Sequence, residues 1–441
     1  VSVITGPIIK ISRILHAGYI LECGQTKIAF DPIFENPFSV NCYAFPEIQF
    51  DLEAVHKLKF DAIFMSHYHD DHLSMESLNL LDRNTPIYIF SVFDDFIFLL
   101  KKLGFKKVHL VKLDLPISIG ELTVTPLKAL DEDVDSIYHI AADGINILNV
   151  VDSWIGPTTM EKLKKTSWDL ILWPFQTMRE IEVIAPSVAG PASLELPPEW
   201  TDQVQALQPK AIIPSSCQFR FEAWSWYNQA FFPISYAQFE KEIAALLPES
   251  KVLRLNPGES LELDNTGTHR AERLSWIKPI GDQNVDYNFN PNAIPQPISE
   301  IAKKFAPLTE IQKTEIHKFC QDAIIQRYKA LAPIDDSYFS EPRTWELVTY
   351  DHHGRPTSYQ YKISDGHIEL TKGADITWKT EISEAKLFAV LTEGESLTSI
   401  YIRLTPPPEA DPLEDPLIRC LYEGIIGGYQ KAQLKRLGID F

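Results

Sequence analysis

The chain has 441 residues, 45% hydrophobic and 11% aromatic, which exceeds what one hydrophobic core usually supports, so two or more units are expected. A formal charge of −19 argues against a nucleic-acid partner, which needs a basic footprint, and against an anionic membrane surface. No apolar run approaches the length of a bilayer span, and the first residues, Val-Ser-Val-Ile-Thr-Gly-Pro, lack the basic and apolar regions of a signal peptide.

In chain order, residues 11–15, 19–23 and 26–30 read as a β meander turning at Gly24-Gln25. His16 follows the first strand, at a position open to a metal site or to a satisfied core histidine. Asp31 follows the third, either as a ligand or as a turn-initiating Asx residue. Residues 51–59 read as helix and 60–65 as a short buried strand. Residues 66–72 are Ser-His-Tyr-His-Asp-Asp-His, an H-x-H-x-D-H pattern, and residues 73–81 continue with helical spacing. Imidazoles two apart on extended backbone point the same way, and the turn into the helix brings Asp71 and His72 round to the same point. Imidazole and carboxylate suit zinc, iron or manganese. His67, His69, Asp71 and His72 are therefore candidate metal ligands.

Strands follow at 86–90, 107–110 and 122–126, with a helix at 94–103. The acidic run Asp131-Glu132-Asp133-Val134-Asp135 lies on a loop; Asp131 is a candidate further ligand, against the reading of a solvated charge run. Residues 137–141 and 145–151 form a hairpin, with His139 as a core residue. Asp152 ends the second strand, where a carboxylate can bridge two metals; helix capping is the competing role. Helices at 158–165, 198–207 and 236–247 alternate with strands at 168–173 and 211–214. Residues 178–196, rich in Pro, Gly and Ala, read as a packed loop. Cys217 is either a replacement ligand or a small buried residue. The aromatic block at residues 219–232 either walls a substrate pocket or packs between units.

The expected organisation is a metal-binding unit at 1–281, a linker at 282–297, and a C-terminal α+β unit at 298–441. The last has helix over 299–331, broken at Pro307, a strand-rich body over 344–404 and a closing helix over 416–436. The five cysteines (Cys23, Cys42, Cys217, Cys320, Cys420) are scattered, as expected of reduced thiols in a cytoplasm.

The segments around His16, Asp31, residues 67–72 and Asp152 resemble the metallo-β-lactamase fold superfamily, in its lactonase-like and phospholipase-like branch. The stretches Phe30-Asp31-Pro32, residues 66–74, Pro86-Ile87-Tyr88, residues 147–152 and Asn256-Pro257-Gly258 are also similar to the lactamase-like half of CMP-N-acetylneuraminate hydroxylase. The C-terminal unit resembles the sterol-carrier-like domains of some lactamase-fold alkylsulfatases. The resemblance implies a four-layer αββα sandwich of α/β class, with a second, smaller α+β domain. It also implies His67 and His69 on one metal, Asp71 and His72 on another, and Asp152 on both. Two imidazoles of that pattern are missing: Leu130-Asp131-Glu132 stands at the third His, and Ser215-Ser216-Cys217-Gln218 at the last.

The expected function is a metal-dependent hydrolase with one or two divalent ions (zinc, iron or manganese). It would act on a small-molecule ester, lactone, amide or phosphodiester with an apolar part, and Asp71 would orient or deprotonate the water. The alternatives are an iron oxygenase or redox enzyme fed electrons by a partner protein, and a degenerate fold that binds without chemistry.

Overall fold

The computed structural model describes residues 6–131 and 134–440. Residues 1–5, read above for a leader, and Glu132 and Asp133 of the acidic run lie outside the described residues.

Two mixed sheets lie face to face. In the first, the order is Gly267–Ala271, Ser260–Asp264, Ile9–Arg13, Tyr19–Cys23, Thr26–Phe30, Ala62–Met65, Ile87–Ile89 and Val108–Leu110. The meander is antiparallel, and pairing becomes parallel from Thr26–Phe30 onward. In the second, the order is Lys251–Val252, Ala211–Ser215, Leu170–Pro174, Ile145–Asn149, Ser136–Ala142, Leu122–Lys128 and Ile117–Ile119.

The period of two along each strand decides which core a side chain joins. Phe64 faces the inter-sheet core with Phe30, Tyr138, Ile140 and Leu172, whereas Ile63 and Met65 face the outer helices with Leu78, Phe96 and Leu99. On the other side Leu148, Ile171 and Ile212 meet Met160, Val204 and Phe239. Each such side chain, fully buried, contributes roughly 1.5–3 kcal/mol. The result is helix, sheet, sheet, helix: the four-layer αββα sandwich expected above.

Residues 298–440 add a five-stranded sheet in the order His367–Thr371, Pro356–Ser364, Arg343–Tyr350, Trp378–Ser383 and Arg403–Thr405. A helical run from Glu310–Lys318 through Phe319–Ala323 to Ile324–Ala330 precedes it. Three local differences from the sequence reading stand out. Residues 178–196 contain a short helix, Glu180–Ile184. The strand-rich body contains a helix, Glu384–Glu393, started by the Ser383 side chain accepting from the Lys386 N–H. The closing helix is two, Pro416–Tyr422 and Gly428–Arg436, because Gly424 and Gly427 take φ of +72° and +66° between them, values that favour glycine. Among the described residues no helix is long and apolar enough to cross a membrane.

Helix Gly428–Arg436 docks on the segment after the H-x-H-x-D-H motif. Gln433 accepts from the Met75 N–H at 2.7 Å and donates to the Ser74 hydroxyl at 2.9 Å. Gln430 donates to the carbonyls of Tyr68 and Leu73. The Tyr401 ring packs on Trp224 and Tyr227 at 5.0 and 4.8 Å between centroids.

Candidate metal centre

The motif begins where the buried strand Ala62–Met65 ends. The carbonyls there are held from the opposite sheet: Tyr138 donates to Met65 O at 3.1 Å and Ser136 to Ser66 O at 2.9 Å. The chain then turns, with the N–H groups of His72 and Leu73 both donating to His69 O. Ser74 caps the following helix, Met75–Asn79, by accepting from the Ser77 N–H.

Asp31 organises the imidazoles from behind. It is buried with φ of +39°, and it accepts from the Ser66 N–H at 2.7 Å and the Ser66 hydroxyl at 2.6 Å. It also lies 3.0 Å from His72 Nδ1. Having donated to Asp31, the Ser66 hydroxyl accepts from His67 Nδ1, 2.9 Å away. Both imidazoles therefore donate from Nδ1 and turn Nε2 forward, the orientation typical of metal-ligating histidines. Of the two roles open to Asp31 in the sequence, the carboxylate stands behind the cluster.

His16 sits on a tight turn. Gly18 donates to Leu15 O at 2.7 Å, and a Cβ on Gly18 would lie 2.7 Å from Asp31 O, closer than side-chain carbons come. Arg13, fully buried, ties the turn to the second sheet by donating to His16 O at 2.6 Å and Pro214 O at 2.9 Å. One oxygen or nitrogen each from His16, Asp71, His72 and Asp152 falls within 4.8 Å of the others. His16 Nδ1, however, accepts from the Cys217 N–H at 3.0 Å. A neutral ring accepting there carries its proton on Nε2, which donates to Asp71 Oδ2 at 3.1 Å. Of this group, Asp71, His72 and Asp152 are thus the ones that could face an ion, and His16 holds Asp71. Cys217 is buried behind His16, its carbonyl accepting from Tyr287.

Asp152 comes from the second sheet, after strand Ile145–Asn149. Val151, before it, has φ of +62°, a strained value for a β-branched residue. The bend sets Asp152 Oδ2 2.9 Å from His72 Nε2. Of the acidic run, Asp131 is exposed; its carbonyl accepts from the Asp135 N–H at 2.9 Å, and Asp135 lines the cleft instead. Asp135 Oδ1 stands 3.6 Å from His67 Nδ1, and His67 Nε2 stands 3.0 Å from His69 Nδ1. His139 lies elsewhere, bonded to Asn146 and edge-on to Trp168.

These groups open into a cavity of about 480 Å³. Its imidazole and carboxylate walls are His67, His69, Asp70, Asp71, Asp135, Asp152 and Glu180, and its apolar walls include Met178, Phe219, Phe231 and Leu397. Ser396, Leu397, Thr398 and Tyr422 bring the C-terminal segment to its rim. Two larger-mouthed surface hollows, around Trp224 and Phe289, lie away from the histidines.

Charge at the site is strongly biased. Burial opposes ionisation of Asp71 and Asp152, yet His72 beside each holds both below the ordinary carboxylate range. Burial likewise disfavours a charged His72, but Asp152 and Asp71 lift it well above the usual value. His67 is driven far down by burial and then by His72. Burial, with Asp71 adding, pushes Asp70 up to about 6; burial with Asp152 does the same for Asp135. Glu180 rises to about 7 through burial and then Asp71. Sequence reasoning missed Glu180 and Asp70 as lining residues; the signal for Glu180, its place in a segment without a helical pattern, was weak.

No family model and no curated protein matches the chain. Among solved structures it is similar to Igni18, a metallo hydrolase from Ignicoccus hospitalis, with 17% identity and a TM-score of 0.41 over 58% of this chain and 99% of that one. It is similar to the isothiocyanate hydrolase from Delia radicum gut bacteria, with 14% identity and a TM-score of 0.42 over 57% and 98% of the two chains. It is also similar to CmlA, a diiron beta-hydroxylase from Streptomyces venezuelae, with 16% identity and a TM-score of 0.40 over 60% and 54%. Likenesses this distant say nothing about which reaction the chain performs.

Proposed function

We propose that the chain is a metal-dependent hydrolase acting on a small molecule, with His67, His69 and Asp135 on one divalent ion and Asp71, His72 and Asp152 on a second, Asp152 reaching both. The observation that carries this reading is a pair of orphaned oxygens. Among the described residues, Asp135 Oδ1 and Asp152 Oδ1 are buried without a hydrogen-bond partner, a costly state unless a cation answers them. The donor set, imidazole and carboxylate, fits zinc, iron or manganese.

A bound ion lowers the pKa of water toward neutrality and polarises the bond to be cut. The rest is done by side chains. Asp71, with one oxygen held by the His16 Nε2–H, orients the attacking water with the other. Asp31 sets Nδ1 as the donor on His72 and, through Ser66, on His67, so that both Nε2 atoms face the site. Phe219, Phe231 and Leu397 exclude bulk water from the reacting bond.

Metal analysis of protein purified without chelators tests the ligand set. His69→Ala and Asp135→Asn should each lose at least about half the metal of the wild type, since each removes a ligand from one of two ions. Asp131→Asn and His139→Ala should retain it all. Unchanged metal in His69→Ala sinks the assignment. A second reading, an iron-dependent oxidation with an external electron donor, is favoured by one observation: Asp135 beside His67 and His69 makes two imidazoles and a carboxylate, a set suited to Fe(II). A coloured iron protein that cleaves no ester would support it, whereas two zinc or manganese ions per chain support hydrolysis.

A further inference from the structure

Resting on the hydrolytic reading, we propose that the substrate is an ester or amide bearing an ammonium group, and that Glu180 binds that group against the rings of Phe219 and Phe231.

Charge composition narrows the class first. Among the described residues, no Lys or Arg lines the cavity, while five carboxylates do. Apart from the ions themselves, a phosphodiester or a carboxylate-bearing substrate would find no guanidinium or ammonium on the lining to receive it, and its remaining negative charge would face the spare carboxylates. Two divalent ions would be balanced by their own ligands, Asp71, Asp135 and Asp152, together with a hydroxide. Two further carboxylates then remain, and they differ. Asp70 is occupied, accepting from the Ser39 hydroxyl at 2.5 Å. The Glu180 carboxylate has no hydrogen-bond or ion-pair partner among the described residues, although it lines the cavity.

Its neighbouring cation is directed elsewhere. Arg179 donates to Gly190 O at 2.6 Å, lies 3.9 Å from Glu182 and stacks on Phe289. What accompanies Glu180 on the wall is aromatic: Phe219, Phe231 and Tyr422. A carboxylate sharing a cavity wall with aromatic rings is the chemistry that recognises alkylated ammonium, through ion pairing and cation–π attraction together. Serving this site, the water oxygen bonds to the acyl carbon, the carbon–oxygen or carbon–nitrogen bond breaks, and the alcohol or amine leaves with the proton.

Two chromogenic esters of equal shape test the idea on the 441-residue chain loaded with zinc: 4-nitrophenyl 4-(trimethylammonio)butanoate and 4-nitrophenyl 5,5-dimethylhexanoate. The wild type should prefer the ammonium ester by about tenfold in kcat/KM. Glu180→Gln should bring the two esters within about twofold, chiefly through KM, and Glu180→Asp should restore part of the preference. Equal rates in the wild type, or a preference that survives Glu180→Gln, would overturn the proposal. Calorimetric titration with butyltrimethylammonium separates this inference from the reading beneath it. Binding that weakens in Glu180→Gln without cleavage of either ester would leave the ammonium site standing and remove the hydrolase. Absence of both binding and cleavage would remove the two together.

Discussion

Asp31 touches no substrate, yet two imidazoles depend on it, one directly and one through Ser66. On the proposed reading, replacing it should therefore weaken the binding of both ions at once. Asp31→Asn keeps the shape but puts an amide donor toward His72, and losses of about 10–100-fold in metal affinity are typical of such partners. Competition against a chromophoric chelator measures this, and affinity equal to wild type would show that the hydrogen bonds are not what orients the rings. At this scale the sequence was informative about residue type and not about register. The four motif residues and Asp152 converge as their spacing suggested. Asp135 rather than Asp131 lines the cleft, and a loop has no periodicity to say which of its carboxylates faces inward. The part played by His16 was equally hidden, since its tautomer is fixed by an N–H that comes from 201 residues away.

Elements carry the next level of control. Helix Gly428–Arg436 fills the backbone needs of the segment that follows the ligands, with Gln433 fully buried between them. Gln433→Ala leaves the Met75 N–H without its acceptor, a loss of about 1–3 kcal/mol for a buried group. Urea unfolding should show that loss, and the chelator competition should show weaker metal binding in the same variant. If stability falls and metal affinity does not, the helix supports the fold without steadying the site. The strands were the most legible elements: Tyr19–Cys23 and Thr26–Phe30 lie where alternation and the Gly24 turn put them. The helices Glu180–Ile184 and Glu384–Glu393 were not, the first because five residues give too little pattern and the second because its neighbours read as strand. The closing pair was fused into one because the break rests on glycine φ values that hydrophobic spacing does not report.

The molecule as a whole has carboxylates of two kinds, and they make stability respond to pH in opposite directions. Asp71 and Asp152, held low, add stability that is present above the ordinary carboxylate pKa and lost on acidification. Asp415 is the reverse. Burial pushes it up to about 6 despite Trp378, Thr380 and two backbone N–H groups donating to it. The folded state then keeps a proton that the unfolded chain releases near pH 4, so this contribution falls as pH rises from about 4 to 6. Relative to Asp415→Asn, the wild type should be more favoured at pH 4 than at pH 7.5 by roughly 2–3 kcal/mol, at about 1.4 kcal/mol per pKa unit. Urea midpoints of both proteins at the two pH values measure it; a difference independent of pH would mean that Asp415 is ionised throughout.

Ser136 and Tyr138 reach from one sheet to grip the carbonyls of Ser66 and Met65 at the edge of the other. Arg13 does the same for the His16 turn and Pro214. The groups that face each other over the cavity are thereby mounted on a calliper whose jaws the backbone has locked. The spacing of those facing groups is therefore set by the chain itself, so a circular-dichroism or hydrogen-exchange comparison of the protein with and without added zinc should show little change in either sheet.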